Sequence, residues 1–153
     1  MVIKRRKSAI LRADKFAAAF TLVELMVVIL IVAILAAVAL PVMRNRVDAA
    51  KWSEGKAIMG SIATSIRAWC AEKDLRYSGT LPTTLAELGF AVVDCTGTYF
   101  VDNDFEFVIT DVGPPPQFTV TCTAGKGGRT NAPTNPPSYT LTGEADGTMT
   151  WSE

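Results

Sequence analysis

Glu24 is the residue whose position in the sequence most requires a partner. It precedes a run from Leu25 to Met43 that contains no charged or strongly polar residue. A carboxylate beside a segment of this kind is costly unless it is paired, which makes it a candidate functional group. The chemistry open to it is the binding of a cation. The alternative is a carboxylate that only reaches toward lipid headgroups at the edge of a membrane.

Histidine is absent from the chain, which excludes Ser-His-Asp and Cys-His catalysis and all His-ligated metal sites. The three cysteines, Cys70, Cys95 and Cys122, are widely spaced and form no Cys-x-x-Cys pair, so no zinc site is expected. If the protein is exported, two of the three are expected to form a disulfide. Three pairings are open. We favour Cys70–Cys95, which would close the loop between the predicted helix and sheet.

Two acidic clusters are weak candidates for calcium binding. Asp102 and Asp104 stand at alternate positions, but the segment lacks the glycine and the distal glutamate of an EF-hand loop. Glu144 and Asp146 lie at a predicted hairpin turn. A solvated turn is favoured at both places, so no metal and no other cofactor is predicted.

The net charge of zero conceals an uneven distribution. Residues 1–19 carry six basic side chains and one acidic one, whereas residues 20–153 carry nine basic and fourteen acidic side chains. An acidic body argues against nucleic-acid binding, because neutralising phosphates requires a basic face. A basic segment before a long apolar run predicts a single-pass membrane protein with a cytoplasmic N-terminus.

The apolar run is the first half of a long predicted helix over residues 20–76. Residues 20–43 reach the roughly 20 residues that a membrane span requires. Pro41 removes one helix hydrogen bond and is expected to kink or loosen the helix. The second half is amphipathic, because four large apolar residues recur on one face. These are Ile58, Ile62, Ile66 and Trp69.

The remainder predicts a loop and a sheet. Residues 77–98 are predicted to form a loop with a short helix, because Ser-Gly and Pro-Thr-Thr interrupt the helical pattern. Across residues 99–153, apolar and polar residues alternate in four short runs, and Asp146-Gly147 is a strong hairpin signal. An antiparallel sheet of about four strands, apolar on one face, could cover the helix stripe. The predicted fold class is α+β, with one small domain and an anchor.

The junction between the basic and apolar segments reads Ala-Phe-Thr-Leu-Val-Glu-Leu, residues 19–25. At these residues the chain resembles the type IV pilin and pseudopilin family. The leader of that family ends in a small residue, usually Gly, followed by Phe-Thr-Leu-Ile/Val-Glu-Leu and a hydrophobic helix. Pro41 also stands where many members have a proline. The chain departs from the usual pattern at Ala19, which is a familiar minor alternative to Gly.

The resemblance implies a pilin-like fold and a processed precursor. A prepilin peptidase would cleave between Ala19 and Phe20 on the cytoplasmic side, and a methyltransferase activity would methylate the new N-terminus at Phe20. In the family, the acid at the position of Glu24 is thought to pair with the N-terminal amine of a neighbouring subunit. By the same resemblance, Thr21 and Pro41 are further candidates for assembly residues. The implied partners are other pilin subunits and an inner-membrane assembly platform.

Three functions are consistent with these features, and none of them is enzymatic. The leading hypothesis is a subunit of a type IV pilus for adhesion, surface motility or DNA uptake. The subunit would lie in the inner membrane before assembly and in a cell-surface or periplasmic filament afterwards. The second is a pseudopilin of a type II secretion system. The chain lacks the Asp-x-Trp-Gly-x-Pro-Tyr stretch typical of major secretion pseudopilins, which favours a pilus. The third is a monomeric membrane-anchored or secreted binding protein.

Overall fold

The computed structural model describes residues 20–73 and 79–153. One long helix, α1, spans Leu22–Ala71, and three short 3₁₀ helices connect it to a four-stranded antiparallel sheet. The strands follow one another in space as they do in sequence. They are β1 (Phe105–Asp111), β2 (Gln117–Thr123), β3 (Ser138–Gly143) and β4 (Met149–Ser152). The predicted α+β class and the four antiparallel strands are confirmed.

The described residues divide into two compact units, with the boundary between Ala39 and Leu40. In the first unit, every residue from Phe20 to Ala39 is exposed. Helix α1 contains an 18-residue window with a mean hydropathy of 3.2, none of which is buried. By length and composition, α1 can therefore cross a membrane.

The end of α1 differs from the predicted boundary at residue 76. The N–H of Lys73 bonds to the carbonyl of Cys70 at 3.1 Å, so the last turn tightens to three-residue spacing after Ala71. Glu72 and Lys73 are therefore turn and bend residues. Residues 74–78 lie outside the described part of the chain.

The buried face of the second half of α1 is rotated slightly from the predicted stripe. Ile62 and Ile66 are fully buried, whereas Ile58 and Trp69 are only partly buried. The buried residues recur every three or four positions, as one helix face requires. They are Asp48, Trp52, Gly55, Met59, Ile62, Ala63, Ile66 and Cys70. Three of them, Trp52, Met59 and Cys70, occupy positions that the sequence pattern places only at the flanks of the stripe.

An aromatic cluster around Trp52 fills the centre of the head, residues 40–153. The Trp52 ring lies 4.9 Å from that of Phe100 and 4.8 Å from that of Tyr139, between centroids. Its Nε1–H donates to the carbonyl of Pro136 at 3.0 Å, so its polar atom is satisfied. Gly55 permits this packing, because a Cβ at that position would lie only 3.0 Å from the Phe100 ring.

The sheet places its apolar residues on one face. Phe107 of β1 pairs with Val120 of β2, which pairs with Leu141 of β3, and all three are buried. The next residue of this row, Trp151 of β4, remains 44% exposed because β4 is an edge strand. The predicted turn between β3 and β4 is present, and Gly147 adopts the positive φ of 86° that this turn requires.

Three buried or half-buried carboxylates attach the loops of the head, and we call Asp48, Glu54 and Asp104 the carboxylate clamps. Glu54, on α1, accepts hydrogen bonds from three consecutive backbone N–H groups at 2.8–3.2 Å. These belong to Thr98, Tyr99 and Phe100. The connection between α1 and the sheet is therefore bound through its main chain.

Asp104 and Asp48 bind other loops of the head in the same way. Asp104, which is 1% exposed, accepts the N–H groups of Val101 at 2.8 Å and Gly127 at 2.6 Å. Asp48 Oδ2 accepts the N–H and hydroxyl of Thr134, at 3.0 and 2.8 Å, and the N–H of Asn135 at 3.1 Å. A hydrogen bond to a charged acceptor stabilises the folded protein more than a hydrogen bond between two neutral groups.

We predict that a fragment of residues 44–153 folds alone and that Ile62→Asp unfolds it. An unpaired charge at a fully buried position costs several kcal/mol, which is comparable to the total stability of a small domain. The matched control is Ser61→Asp, at the exposed neighbouring position. Circular dichroism melting is the measurement. Equal melting temperatures for the two variants would contradict the position assigned to Ile62 in the core.

We predict that Asp48→Asn destabilises this fragment by about 2 kcal/mol at pH 7. The hydroxyl and N–H of Thr134 hold the pKa of Asp48 below its ordinary value. A lowered native pKa means that the stabilisation is present above about pH 5 and is lost as the pH falls through that pKa. Urea unfolding at pH 7 and pH 3 should therefore show a difference from the unsubstituted fragment that shrinks in acid. Glu72→Gln, at an exposed carboxylate, should show little difference at either pH.

Candidate functional site

The start of α1 is organised by a reciprocal pair of hydrogen bonds between Thr21 and Glu24. The N–H and the hydroxyl of Thr21 donate to Glu24 Oε2 at 2.9 and 2.7 Å. The N–H of Glu24 donates to the hydroxyl oxygen of Thr21 at 3.2 Å. This arrangement is a capping box, which satisfies backbone donors at the end of a helix that have no partner within it.

The capping box assigns Thr21 and Glu24 a local structural role that the sequence prediction missed. The signal was present, because Thr-x-x-Glu before an apolar run is a known helix start. Only one oxygen of the carboxylate is used. Glu24 Oε1 accepts no hydrogen bond from the described residues, so it can bind a further donor.

Phe20 is 73% exposed and precedes the helix. Ala19 itself is outside the described residues, as is the whole predicted leader. The structure brings Phe20, Thr21 and Glu24 together within one turn of the helix start.

Pro41 lies within α1, and the helix continues through it. Because proline has no N–H, the carbonyl of Ala37 lacks its usual donor four residues later. Pro41 follows the division between the two compact units, at residues 39 and 40. It is exposed, like the apolar residues before it.

The three cysteines are free and buried, so the favoured Cys70–Cys95 bridge is not formed. Gly97, two residues after Cys95, lies against the carboxylate of Glu54. Cys70 lies sixteen residues further along α1, which is about 24 Å at 1.5 Å per residue. A disulfide requires Cα atoms within about 7 Å.

The other two cysteines lie in different elements, Cys95 at the end of the 3₁₀ helix Val92–Cys95 and Cys122 in β2. Cys122 is opposite Phe105, the first residue of β1. Burial raises the pKa of all three thiols, which favours their protonated form. A structural disulfide between two of the three cysteines stays a prediction.

The weak calcium candidates have other roles in the structure. Asp104 is a carboxylate clamp, and Asp146 accepts the N–H and hydroxyl of Thr148 in the β3–β4 turn at 2.9 and 2.6 Å. Within residues 20–73 and 79–153, no three cysteine or acidic side chains are grouped so that they could hold a metal ion.

Comparisons with known proteins agree with the features of the helix start. The family model described as the prokaryotic N-terminal methylation motif matches residues 15–40. This range includes Ala19, Phe20 and the capping box, together with most of the exposed apolar half of α1.

One curated protein is similar over a longer range. The type IV major pilin protein PilA of Myxococcus xanthus is 33% identical over 102 residues, which is 63% of this chain. The aligned region spans 46% of the length of that protein. No solved structure matches the chain.

Proposed function

We propose that this chain, a member of the type IV pilin and pseudopilin family by its methylation motif and its similarity to a major pilin, is a structural subunit of a type IV pilus. One observation carries the proposal. The first half of α1 is apolar and completely exposed and begins with a capping box directly after a basic segment, while the head has a separate core of its own. The family consists of structural subunits and not of enzymes.

The apolar half of α1 requires a covering that the rest of the described chain does not supply. In water its exposed surface would be strongly unfavourable, and lipid is the first environment that can cover it. In a filament, the same residues would exchange lipid contacts for contacts with neighbouring helices. The heads would then form the outer surface. Because the apolar half of α1 would lie first in lipid and then among other helices, it has to be compatible with both a bilayer and a protein interior.

Cleavage after Ala19 would create the cation that Glu24 can bind. The new amine at Phe20 carries a positive charge at neutral pH. Glu24 already uses Oε2 for Thr21 in its own chain, and Oε1 remains available for the amine of a neighbouring subunit. Such a pair would let each charge compensate the other within an apolar environment and would fix the axial register of the two helices.

The processing enzymes and the assembly platform are proposed partners. A prepilin peptidase would remove residues 1–19, and a methyltransferase activity would modify Phe20. Adhesion, surface motility and DNA uptake are the roles proposed for the filament. A filament confined to the periplasm that supports protein secretion, and not surface pili, would instead identify a secretion pseudopilin.

We predict that purified filaments contain a chain whose N-terminus is methylated Phe20. The reason is that cleavage must retain the apolar half of α1 if the subunits are to pack through it. Mass spectrometry of the N-terminal peptide is the measurement. A mature chain that begins near Leu40 would show removal of the apolar segment as a signal peptide and would overturn the proposal.

Substitutions at Glu24 and Thr21 can separate the charge from the cap. Glu24→Gln keeps a side-chain oxygen for Thr21 but removes the charge, so we predict normal insertion and cleavage with at least a tenfold loss of filaments. Thr21→Val keeps the charge and weakens the helix start by about 1 kcal/mol, so filaments should persist. Filament yield by shearing and electron microscopy is the measurement. The opposite pattern would show that Glu24 acts only as a helix cap.

A further inference from the structure

Two arginines follow the apolar half of α1 directly and have no partner among the described residues. Arg44 and Arg46, which we call the basic collar, lie immediately after Met43 and are both exposed. Neither takes part in the ion pairs of the described residues, which join Lys51 to Asp48 and Lys126 to Glu106. Two unpaired guanidinium groups at the edge of a membrane-compatible segment call for an anionic partner.

The acid nearest to the collar along the helix is already occupied. Asp48 would be the natural partner of Arg44 four residues earlier. Its Oδ2 accepts three hydrogen bonds from Thr134 and Asn135, and its Oδ1 lies 3.7 Å from Lys51 Nζ. It is also buried, so the two exposed arginines have no acidic partner among residues 20–73 and 79–153 and are open to an external anion.

The length of the apolar run indicates which anion the collar meets first. Leu25 to Met43 comprises nineteen residues, or roughly 28 Å of helix, and the hydrocarbon core of a bilayer is about 30 Å thick. When this run fills the core, the collar lies at the level of the phospholipid phosphates. Guanidinium groups bind phosphate oxygens in a bidentate manner.

The rest of the head could not make this contact. Residues 52–153 contain six basic and twelve acidic side chains, so an anionic surface would repel them. The attraction is therefore confined to the collar, where two cations stand within three residues.

We propose that Arg44 and Arg46 bind phospholipid phosphates at the membrane surface on the side of the head, and thereby set the depth of the subunit before assembly. The inference rests on the proposed function, because it requires the apolar half of α1 to lie in a membrane. It adds a lipid-binding site that must be released when the subunit leaves the bilayer.

The test uses the full chain in lipid vesicles with a spin label at position 49. Ala49 is exposed, one turn beyond Arg46, and the three native thiols are buried, so a brief reaction labels Ala49→Cys selectively. Depth is measured from the collision rates of the label with oxygen and with a water-soluble nickel chelate. Vesicles of phosphatidylcholine alone and with anionic phosphatidylglycerol are compared at low and high salt.

In the protein with the unsubstituted collar, we expect the label at position 49 to stay at headgroup level. Its depth should depend on the presence of anionic lipid, and this dependence should weaken at high salt. Arg44→Gln with Arg46→Gln should move the label toward the hydrocarbon by about one helix turn, on the order of 5 Å, and abolish the response to lipid charge. Arg44→Lys with Arg46→Lys should retain most of both effects. Arg67→Gln removes one positive charge from the head elsewhere and should change neither.

Equal depth and equal lipid response in the Gln and unsubstituted proteins would overturn the proposal. Release of the collar from the vesicle surface by millimolar inorganic phosphate would also overturn it, because that result would indicate a site for free anions. If the collar substitutions change the depth of the label only at a high density of protein in the vesicles, the arginines pair with carboxylates of a second copy and the proposal is wrong. Each of these results leaves cleavage at Phe20 and filament formation unaffected, so failure here is distinguishable from failure of the proposed function.

Discussion

The structure depends on the fact that no other described residue covers the first half of α1. Every residue from Phe20 to Ala39 is exposed, and the hydrophobic surface this creates cannot persist in water. The helix must therefore lie in lipid or among other helices. A capping box at its start satisfies backbone donors and leaves one carboxylate oxygen for a partner. The apolar half thus requires a membrane or other helices around it, and under the proposed function its first turn supplies the carboxylate that binds a neighbouring subunit.

The head differs from the apolar half in having a core of its own, so under the proposed function it can stay folded while that half changes environment. Its core is complete without the apolar half, since Trp52, Ile62 and Ile66 are covered by the sheet and the connecting loop. The carboxylate clamps attach long irregular segments that could not hold themselves in place by packing. Burial against the sheet therefore stabilises the core of the head, and hydrogen bonds from the main chain to the clamps stabilise its loops.

The fold could be predicted from the sequence largely because periodicity reports burial. Alternation located all four strands, and the spacing of Ile62 and Ile66 located the buried helix face. The motif from Phe20 to Leu25 located the candidate site. The rest depended on long-range geometry. Glu54 binds backbone groups more than forty residues away, and Cys95 lies far from Cys70, because the connecting loop returns to the middle of α1 and not to its end. No local pattern encodes either fact.

The clamps also determine how the surface of the head can change during evolution. Glu54 and Asp104 bind only main-chain N–H groups, which every residue except proline supplies. The side chains at Thr98, Tyr99 or Val101 are therefore not what these carboxylates recognise. A filament that displays such loops can vary their outward chemistry, and with it what antibodies, phages or surfaces encounter, while the same few acids keep the backbone in place.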